Sequence, residues 1–153
     1  LDIFGDGSLR DSIGDGIASQ GLSDRVRQHG LVDFATALVP WLRRNADVFV
    51  ATHRQGDPSC SYIEAMGCGL PVAGYANEMW APMAAASGGG WAVPFGDTAA
   101  LARRIATLTP AEVDAAGAAA LTFARAHDFR TTFAGRMAHL AAVAQRTMRS
   151  RGS

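Results

Sequence analysis

The sequence predicts an α/β protein with a doubly wound parallel sheet and extra helices at its C-terminal end. Short apolar runs of strand length alternate along the chain with longer runs of helical period. Glycines stand where several of the short runs end, as expected where a strand turns towards a helix. The C-terminal part has helical period only and is rich in alanine. Alternation of this kind is typical of strands joined by crossover helices, which produce a parallel sheet.

The first third of the chain contains three predicted strands and two predicted helices. In order, they are a strand at 1–4, a helix at 8–19, a strand at 26–29, a helix at 35–45 and a strand at 46–51. Gly5 and Gly7 form the first turn, and a dinucleotide fingerprint would need a third glycine where Arg10 stands. Two interpretations of this turn remain: a tight strand-to-helix connection, or a loop that also borders a phosphate.

The remainder of the chain begins with a short helix after Pro58 and ends in three further helices. The other predicted elements are a strand at 71–74, a helix at 77–87, a strand at 91–94 and helices at 98–108, 111–126 and 129–148. Asp97 is the expected N-cap of the first of these last helices. Thr109, Pro110 and Glu112 predict a strong start for the next, because they combine a cap, an N1 proline and a capping box.

Composition limits the function classes. The chain has 153 residues, with 48% hydrophobic and 18% charged residues, which is typical of one globular domain. The formal net charge is zero, which argues against nucleic acid as the main partner. All of the basic residues are arginines, so chemistry that needs a lysine nucleophile is excluded within this sequence.

The two cysteines, Cys60 and Cys68, do not make a disulfide framework, and a reducing, cytoplasmic compartment is expected. Neither cysteine has the spacing to a second ligand that a zinc site requires, so no metal is expected. No apolar run reaches the length of about 18 residues that a membrane span needs. The sequence shows no signal peptide.

The most informative stretch runs from the strand that ends at Ala51 to the strand at 71–74. It reads as strand, polar loop, short helix and strand, which is one βαβ unit. Open α/β sheets bind ligands at the carboxyl ends of their strands. Unpaired backbone N–H groups at the helix start favour a phosphate there, on the residues Asp57, Pro58, Ser59, Cys60 and Ser61. Glu64 lies further along the same helix.

This stretch resembles the donor-binding motif of the family 4 retaining glycosyltransferases of the GT-B fold. The family usually has a glutamate, seven residues and a second glutamate, followed by Ala-Met-x-x-Gly-x-Pro-Val. Here Glu64 opens Glu-Ala-Met-Gly-Cys-Gly-Leu-Pro-Val. Further similarity lies in the first strand with its Gly-Asp-Gly turn, the strand that ends at Gly30, and the run that begins Gly90-Trp-Ala-Val. The resemblance covers about residues 1–108 and implies the Rossmann-like, donor-binding half of a GT-B fold.

The resemblance assigns expected roles to the matching positions. Glu64 is expected to accept hydrogen bonds from the ribose hydroxyls, and a solvated helix residue is the alternative. The loop from Asp57 to Ser61 is expected to contact the sugar and the pyrophosphate through its backbone. Gly30, Leu31 and Val32 correspond to backbone contacts with the base. His53 follows a strand end and faces either the donor or solvent, as an ordinary surface loop would.

Two departures from the family pattern stand out. Gly56 occupies the place of the first motif glutamate, and the neighbouring Asp57 either contacts sugar hydroxyls or caps the helix. The arginine and lysine that bind the donor phosphates in the family are expected before residue 1. We therefore expect residues 1–153 to be a nucleotide-sugar-binding domain truncated at its N-terminus, without its acceptor-binding domain, and inactive alone.

The resemblance implies transfer of a sugar from a nucleotide diphosphate to a hydroxyl, without a metal cofactor, because the nucleotide sugar is the substrate. The expected partners are this donor and an N-terminal acceptor domain of the same protein. The arginine-rich C-terminal segment suggests peripheral contact with the inner face of a membrane, although a solvated helix face is the simpler interpretation. A non-catalytic nucleotide-binding or interaction module on the same fold is the alternative function, and an epimerase or phosphorylase is a third.

Overall fold

The computed structural model describes residues 1–55 and 60–151, with side chains as far as residue 146. Contacts within the chain divide it into two compact units, Leu1–Asn45 and Ala46–Ser153. Gly56, Asp57, Pro58 and Ser59 lie outside the described residues. Each unit contains parallel strands and helices, as the sequence predicts.

Unit 1 is built on a parallel pair of strands, β1 (Asp2–Phe4) and β2 (Arg27–Gly30), joined through α1 (Arg10–Ser19). The first helix begins two residues later than predicted. It has no buried residue, and Leu9 and Ile13 of its predicted apolar face are exposed. So short a segment with only two strands offers little surface on which α1 can bury that face.

The predicted helix at 35–45 has two parts. Phe34–Leu38 forms a π-helical turn, and α2 (Val39–Asn45) continues from it. The carboxylate of Asp33 caps the turn, because its Oδ1 accepts hydrogen bonds from Thr36 N at 2.7 Å and Thr36 Oγ1 at 2.6 Å. These bonds from Thr36 hold the pKa of the Asp33 carboxyl below its usual value.

Unit 2 contains a three-stranded parallel sheet. Its strands are β3 (Phe49–Ala51), β4 (Val72–Tyr75) and β5 (Gly90–Val93), with β4 in the middle. All four residues of β4 are buried. A central strand that is apolar throughout, as here, is typical of a parallel sheet covered on both faces.

Five helices complete unit 2: α3 (Cys60–Gly67), α4 (Trp80–Ser87), α5 (Thr98–Ala106), α6 (Pro110–Ala126) and α7 (Phe129–Arg151). Side chains of β4 point alternately into two separate apolar clusters. One cluster unites Val72 with residues of α3, α4 and α6, among them Tyr62 and Trp80. The other unites Ala73 and Tyr75 with Val93 and with Leu101 of α5. Helices therefore cover both faces of this sheet, which confirms the predicted doubly wound arrangement.

The two helix starts that the sequence specifies most strongly are confirmed. Asp97 Oδ1 accepts a hydrogen bond from Ala100 N at 2.8 Å and caps α5. At the start of α6, Thr109 and Glu112 form a reciprocal capping box around Pro110. The starts of α5 and α6 are thus set by local sequence signals.

The last helix, α7, is exposed along its length. Every residue from 129 to 146 except Thr132 is exposed, including Phe129, Phe133 and Leu140. Within residues 1–55 and 60–151, no helix combines the length and the apolar content that crossing a membrane requires.

Candidate functional site

The strand ends of unit 1 bring together two of the predicted glycine positions. Gly5 follows β1 with φ +122°, and Gly30 ends β2 with φ +73°, so both positions favour glycine. Gly5 N donates a hydrogen bond to the Gly30 carbonyl at 2.8 Å. This bond connects the turn after β1 to the end of β2.

The N–H groups of Gly5 and Gly7, which the phosphate interpretation needs, are already engaged within the chain. Gly5 N is bonded to Gly30, and Gly7 N donates to Asp6 Oδ1 at 2.9 Å. A phosphate at this turn would have to replace these bonds or use other donors. The geometry therefore favours the interpretation of this turn as a tight connection.

Arg10 is a cation at this strand end that the sequence prediction did not include. A Cβ added at Gly30 would lie 3.0 Å from Arg10 Nη1, so the guanidinium passes close over this glycine. Arg10 also lies 3.7 Å from the Asp6 carboxylate, where both side chains are about half exposed. The sequence offers one sign of Arg10: it stands where a dinucleotide fingerprint would have its third glycine.

The two residues after Gly30 extend outwards. Leu31 is 79% exposed and Val32 is 40% exposed. Gly30 itself is buried, and its carbonyl is bonded to Gly5 N, so only Leu31 and Val32 of the three residues are exposed. Gly30 ends β2, and Leu31 and Val32 follow it; their contact with a base stays a prediction.

In unit 2, α3 begins at Cys60, the ninth residue after the end of β3. Asp57, Pro58 and Ser59, which the sequence assigns to the donor loop, lie outside the described residues. Cys60 is an exposed free cysteine, and Ser61 is half-buried. The first turn of α3 thus offers backbone N–H groups near the carboxyl end of the sheet.

Glu64 lies on the outer side of α3. Its neighbours Tyr62, Ala65 and Met66 are buried and fix the inner side of the helix, whereas Glu64 is exposed. The Glu64 carboxylate makes no hydrogen bond or ion pair with any residue that the structure describes. No residue within 1–55 and 60–146 therefore occupies its acceptor oxygens, which suit an external donor group.

His53 follows β3 and is half-buried. Its ring lies edge-on against the ring of Tyr62, with centroids 5.4 Å apart. The His53 carbonyl accepts a hydrogen bond from Asn77 Nδ2 at 3.2 Å. Asn77 and Tyr62 were not among the predicted site residues, because an asparagine after a strand equally signals a helix start.

A groove among the described residues of unit 2 lies elsewhere. An open groove of about 300 Å³ runs between the amino ends of β3 and β4 and helix α6, lined by Asp47, Pro71, Asp114 and Leu121 among others. It lies where β3 and β4 begin, whereas His53 lies where β3 ends. The groove is therefore not the candidate site, because ligands of parallel sheets bind at the carboxyl ends of the strands. The candidate site is chosen by that position and by its hydrogen-bonding groups.

No group of three or more histidine, cysteine or acidic side chains that could hold a metal ion occurs in the described part of the chain. The candidate site consists instead of hydrogen-bonding groups. In unit 2 these are the carboxylate of Glu64, the imidazole of His53 and the start of α3.

Solved structures share this fold. Sucrose-phosphate synthase from Thermosynechococcus elongatus matches with a TM-score of 0.80 and 24% identity, over 96% of this chain and 39% of that one. Anabaena HepE in complex with UDP matches with a TM-score of 0.76 and 22% identity, over 93% of this chain and 40% of that one. HepE with UDP and glucose matches with a TM-score of 0.75 and 21% identity, over 92% and 39% of the two chains.

These likenesses confirm the predicted Rossmann-like half of a GT-B fold. This chain spans about two fifths of the length of each of the three structures. No curated protein matches the sequence significantly.

The sequence also matches a family directly. The family described as Glycosyl transferases group 1 matches residues 1–110, which include both units' strands and all of the predicted donor positions. Because the match covers most of the sequence, the chain belongs to the group 1 glycosyl transferases.

Proposed function

We propose that this chain binds the nucleoside diphosphate sugar donor of a retaining glycosyltransferase. The observation that carries the proposal is Glu64, an exposed carboxylate within the donor motif, on a helix anchored by its buried side. A carboxylate can accept hydrogen bonds from two neighbouring hydroxyls, as a ribose presents them. HepE, which shares the fold, was crystallised with UDP, which makes UDP the first nucleotide to test.

The start of α3 would receive the diphosphate. The backbone N–H groups of Cys60 and Ser61 and the partial positive charge of the helix N-terminus suit an anion. The same charge would stabilise the diphosphate as it leaves the sugar, which makes a metal ion unnecessary. In unit 1, the proposal assigns base contacts to the backbone of Gly30, Leu31 and Val32. Asp57 would contact sugar hydroxyls in place of the carboxylate that is missing at Gly56.

The proposed reaction transfers the sugar to a hydroxyl acceptor with retention of anomeric configuration. The acceptor would be held by a part of the protein beyond this chain, because this chain spans only about two fifths of its solved relatives. We therefore expect residues 1–153 to bind donor and to transfer no sugar. The proposed location is the cytoplasm, with the arginine-rich α7 available for contact with the inner face of a membrane.

The test is calorimetric titration of this chain with UDP, GDP and ADP, followed by the same titrations of Glu64→Gln. We expect one nucleotide to bind and Glu64→Gln to weaken its binding by about 1–3 kcal/mol, the usual effect of losing hydrogen bonds to a charged group. Glutamine keeps the size of the side chain and removes the charge, so the helix should remain intact.

Asp114→Asn is the matched control for Glu64→Gln. Asp114 is also an exposed carboxylate on a helix of unit 2, but it lies at the opposite edge of the sheet. Nucleotide affinity should not change in this variant. Equal losses in the two variants would show a general effect of net charge and would remove Glu64 from the proposed site.

A non-catalytic nucleotide-binding module is the second candidate, and Gly56 is the observation that favours it. The two candidates differ in what they require of the sugar. A transferase donor site should bind a nucleotide sugar with a contribution from the sugar, whereas a nucleotide module should bind the diphosphate and its sugar conjugate alike. Comparing UDP with UDP-glucose by the same titration separates them.

A further inference from the structure

Asn77, the second residue after β4, is the one buried residue with an amide or charged side chain among the residues whose burial the structure describes, with 6% exposed. Its amide is fully used. Asn77 Oδ1 accepts hydrogen bonds from Met79 N at 3.1 Å and from Trp80 N at 2.7 Å, and so caps α4. Asn77 Nδ2 donates to the His53 carbonyl at 3.2 Å and to Tyr62 Oη at 3.0 Å. Reversing the amide would break the bonds to Met79 N, Trp80 N and the His53 carbonyl, so its orientation is fixed; the Tyr62 hydroxyl can pair with either orientation.

Tyr62 is buried and packs against two aromatic rings. It is 1% exposed, and its ring stacks on Trp80 with centroids 5.3 Å apart. Its other neighbour is the ring of His53, which meets it edge-on. His53 is thus held twice: its backbone is bonded to Asn77, and its imidazole packs against Tyr62. We call these contacting residues, His53, Tyr62, Asn77 and Trp80, the clamp. They come from the loop after β3, from α3, from the segment after β4 and from α4.

The clamp determines which way the imidazole of His53 faces. His53 Nδ1 is inaccessible to solvent and has no hydrogen-bond partner among the residues that the structure describes. A buried N–H without an acceptor is rarer and less favourable than a buried acceptor without a donor. Of the two neutral tautomers, the geometry therefore favours the one with its hydrogen on Nε2, in which the inward-facing Nδ1 carries none.

We propose that Asn77 and Tyr62 are positioning residues that hold His53 as an Nε2–H hydrogen-bond donor for the diphosphate of the bound nucleotide. This inference rests on the proposed function, since it names a contact within the same site. An N–H group at the carboxyl end of β3, near the start of α3, matches the acceptor oxygens of a diphosphate. Asn77 and Tyr62 would contribute only through the orientation of His53.

The unliganded chain supplies the first test. Long-range ¹H–¹⁵N NMR spectra of the imidazole rings distinguish the two neutral tautomers, and His53→Phe identifies the signals of His53. We expect the Nε2–H tautomer in the wild-type chain and a change in the Nε2 signal when UDP is added. The Nδ1–H tautomer would overturn the proposal whether or not any nucleotide binds.

Binding of UDP supplies the second test. His53→Phe keeps a flat ring against Tyr62 and removes the donor, and we expect it to weaken UDP binding roughly tenfold or more. His139→Phe makes the same change on the exposed helix α7 and should leave the affinity unchanged. If wild-type chain binds UDP and His53→Phe binds it equally well, the contact is refuted and the proposed function stands. If no nucleotide binds to the wild-type chain, the proposed function fails first.

Asn77→Ser tests the positioning role. Serine can still cap α4, but its hydroxyl is too short to reach His53 and Tyr62. We expect roughly tenfold weaker UDP binding, together with loss of the single His53 tautomer. Tyr62→Phe, which removes only the Oη acceptor, is a milder second variant in case Asn77→Ser does not fold. Unchanged tautomer and unchanged affinity in whichever variant is folded would overturn the positioning role.

Discussion

Gly90 shows at the scale of one residue how closely β5 packs against β4. Its φ of +151° favours glycine, and a Cβ there would lie 2.0 Å from the Val72 carbonyl oxygen. Backbone atoms of the central strand cannot move away without breaking the sheet. The pairing of β5 with β4 therefore requires glycine at this position. This requirement explains the glycine in the run Gly90-Trp-Ala-Val, which resembles the family pattern.

Gly90→Ala should destabilise the chain by about 3 kcal/mol, because it adds backbone strain to a steric overlap. Chemical denaturation followed by tryptophan fluorescence measures the change. Gly135→Ala is the control, since nothing lies within 4 Å of the position where its Cβ would be placed. That variant should lose no stability, and a loss similar to that of Gly90→Ala would contradict the steric explanation.

Residues at the site differ in how far the sequence could predict them. Glu64 could be identified because its motif is contiguous and its helix has an obvious buried side. Asn77 could not, since its importance depends on contacts with His53 and Tyr62, which are 24 and 15 residues away in sequence. Single-sequence patterns capture near neighbours on a helix or strand, whereas this clamp is a product of tertiary packing.

At the scale of an element, α6 has a start stabilised by charge as well as by backbone geometry. Glu112 Oε2 accepts a hydrogen bond from Thr109 N at 2.9 Å, and Glu112 Oε1 accepts one from Arg104 Nη2 at 2.9 Å. The bond from Thr109 N, with that from Arg104, lowers the pKa of the Glu112 carboxyl to about 2. Arg104 in turn packs over the Trp91 ring at 4.9 Å.

The lowered pKa of Glu112 predicts a specific pH dependence of stability. The ionised carboxylate stabilises the folded chain fully above its usual pKa of 4.5, and the effect is lost as pH falls towards about 2. Glu112→Gln should therefore be less stable than wild type near neutral pH, with the difference shrinking on acidification. Thermal melts from neutral pH down to pH 3 measure it, with Asp114→Asn as the control for loss of one carboxylate from the same helix.

The starts of α5 and α6 were predicted well, and other element boundaries less well. Asp97 and Thr109 mark their helix starts by composition alone. The predicted start of α4 at Asn77 is three residues early, because the Asn77 side chain bonds to the N–H groups of Met79 and Trp80 before the helix begins. The π-helical turn before α2 follows no pattern in the sequence that periodicity could detect.

On the scale of the whole molecule, the alternation of strands and helices was enough to predict the fold class. It was not enough to predict that the strands form two hydrogen-bonded groups, β1–β2 and β3–β4–β5. Strand pairing depends on register and on which faces are covered, and neither is encoded in the period of a single segment. The two apolar clusters of unit 2 show how many distant residues must meet before a face is covered.

The exposure of α7 has a consequence for how the molecule melts. A helix with almost no packed surface is held by local propensity and frays gradually with temperature, whereas Trp80, 0% exposed, reports the cooperative loss of the core. Far-ultraviolet ellipticity should therefore begin to decline well below the temperature at which tryptophan fluorescence changes. Coincident curves from the two probes would mean that α7 unfolds with the core, and a single melting temperature would then describe the whole chain.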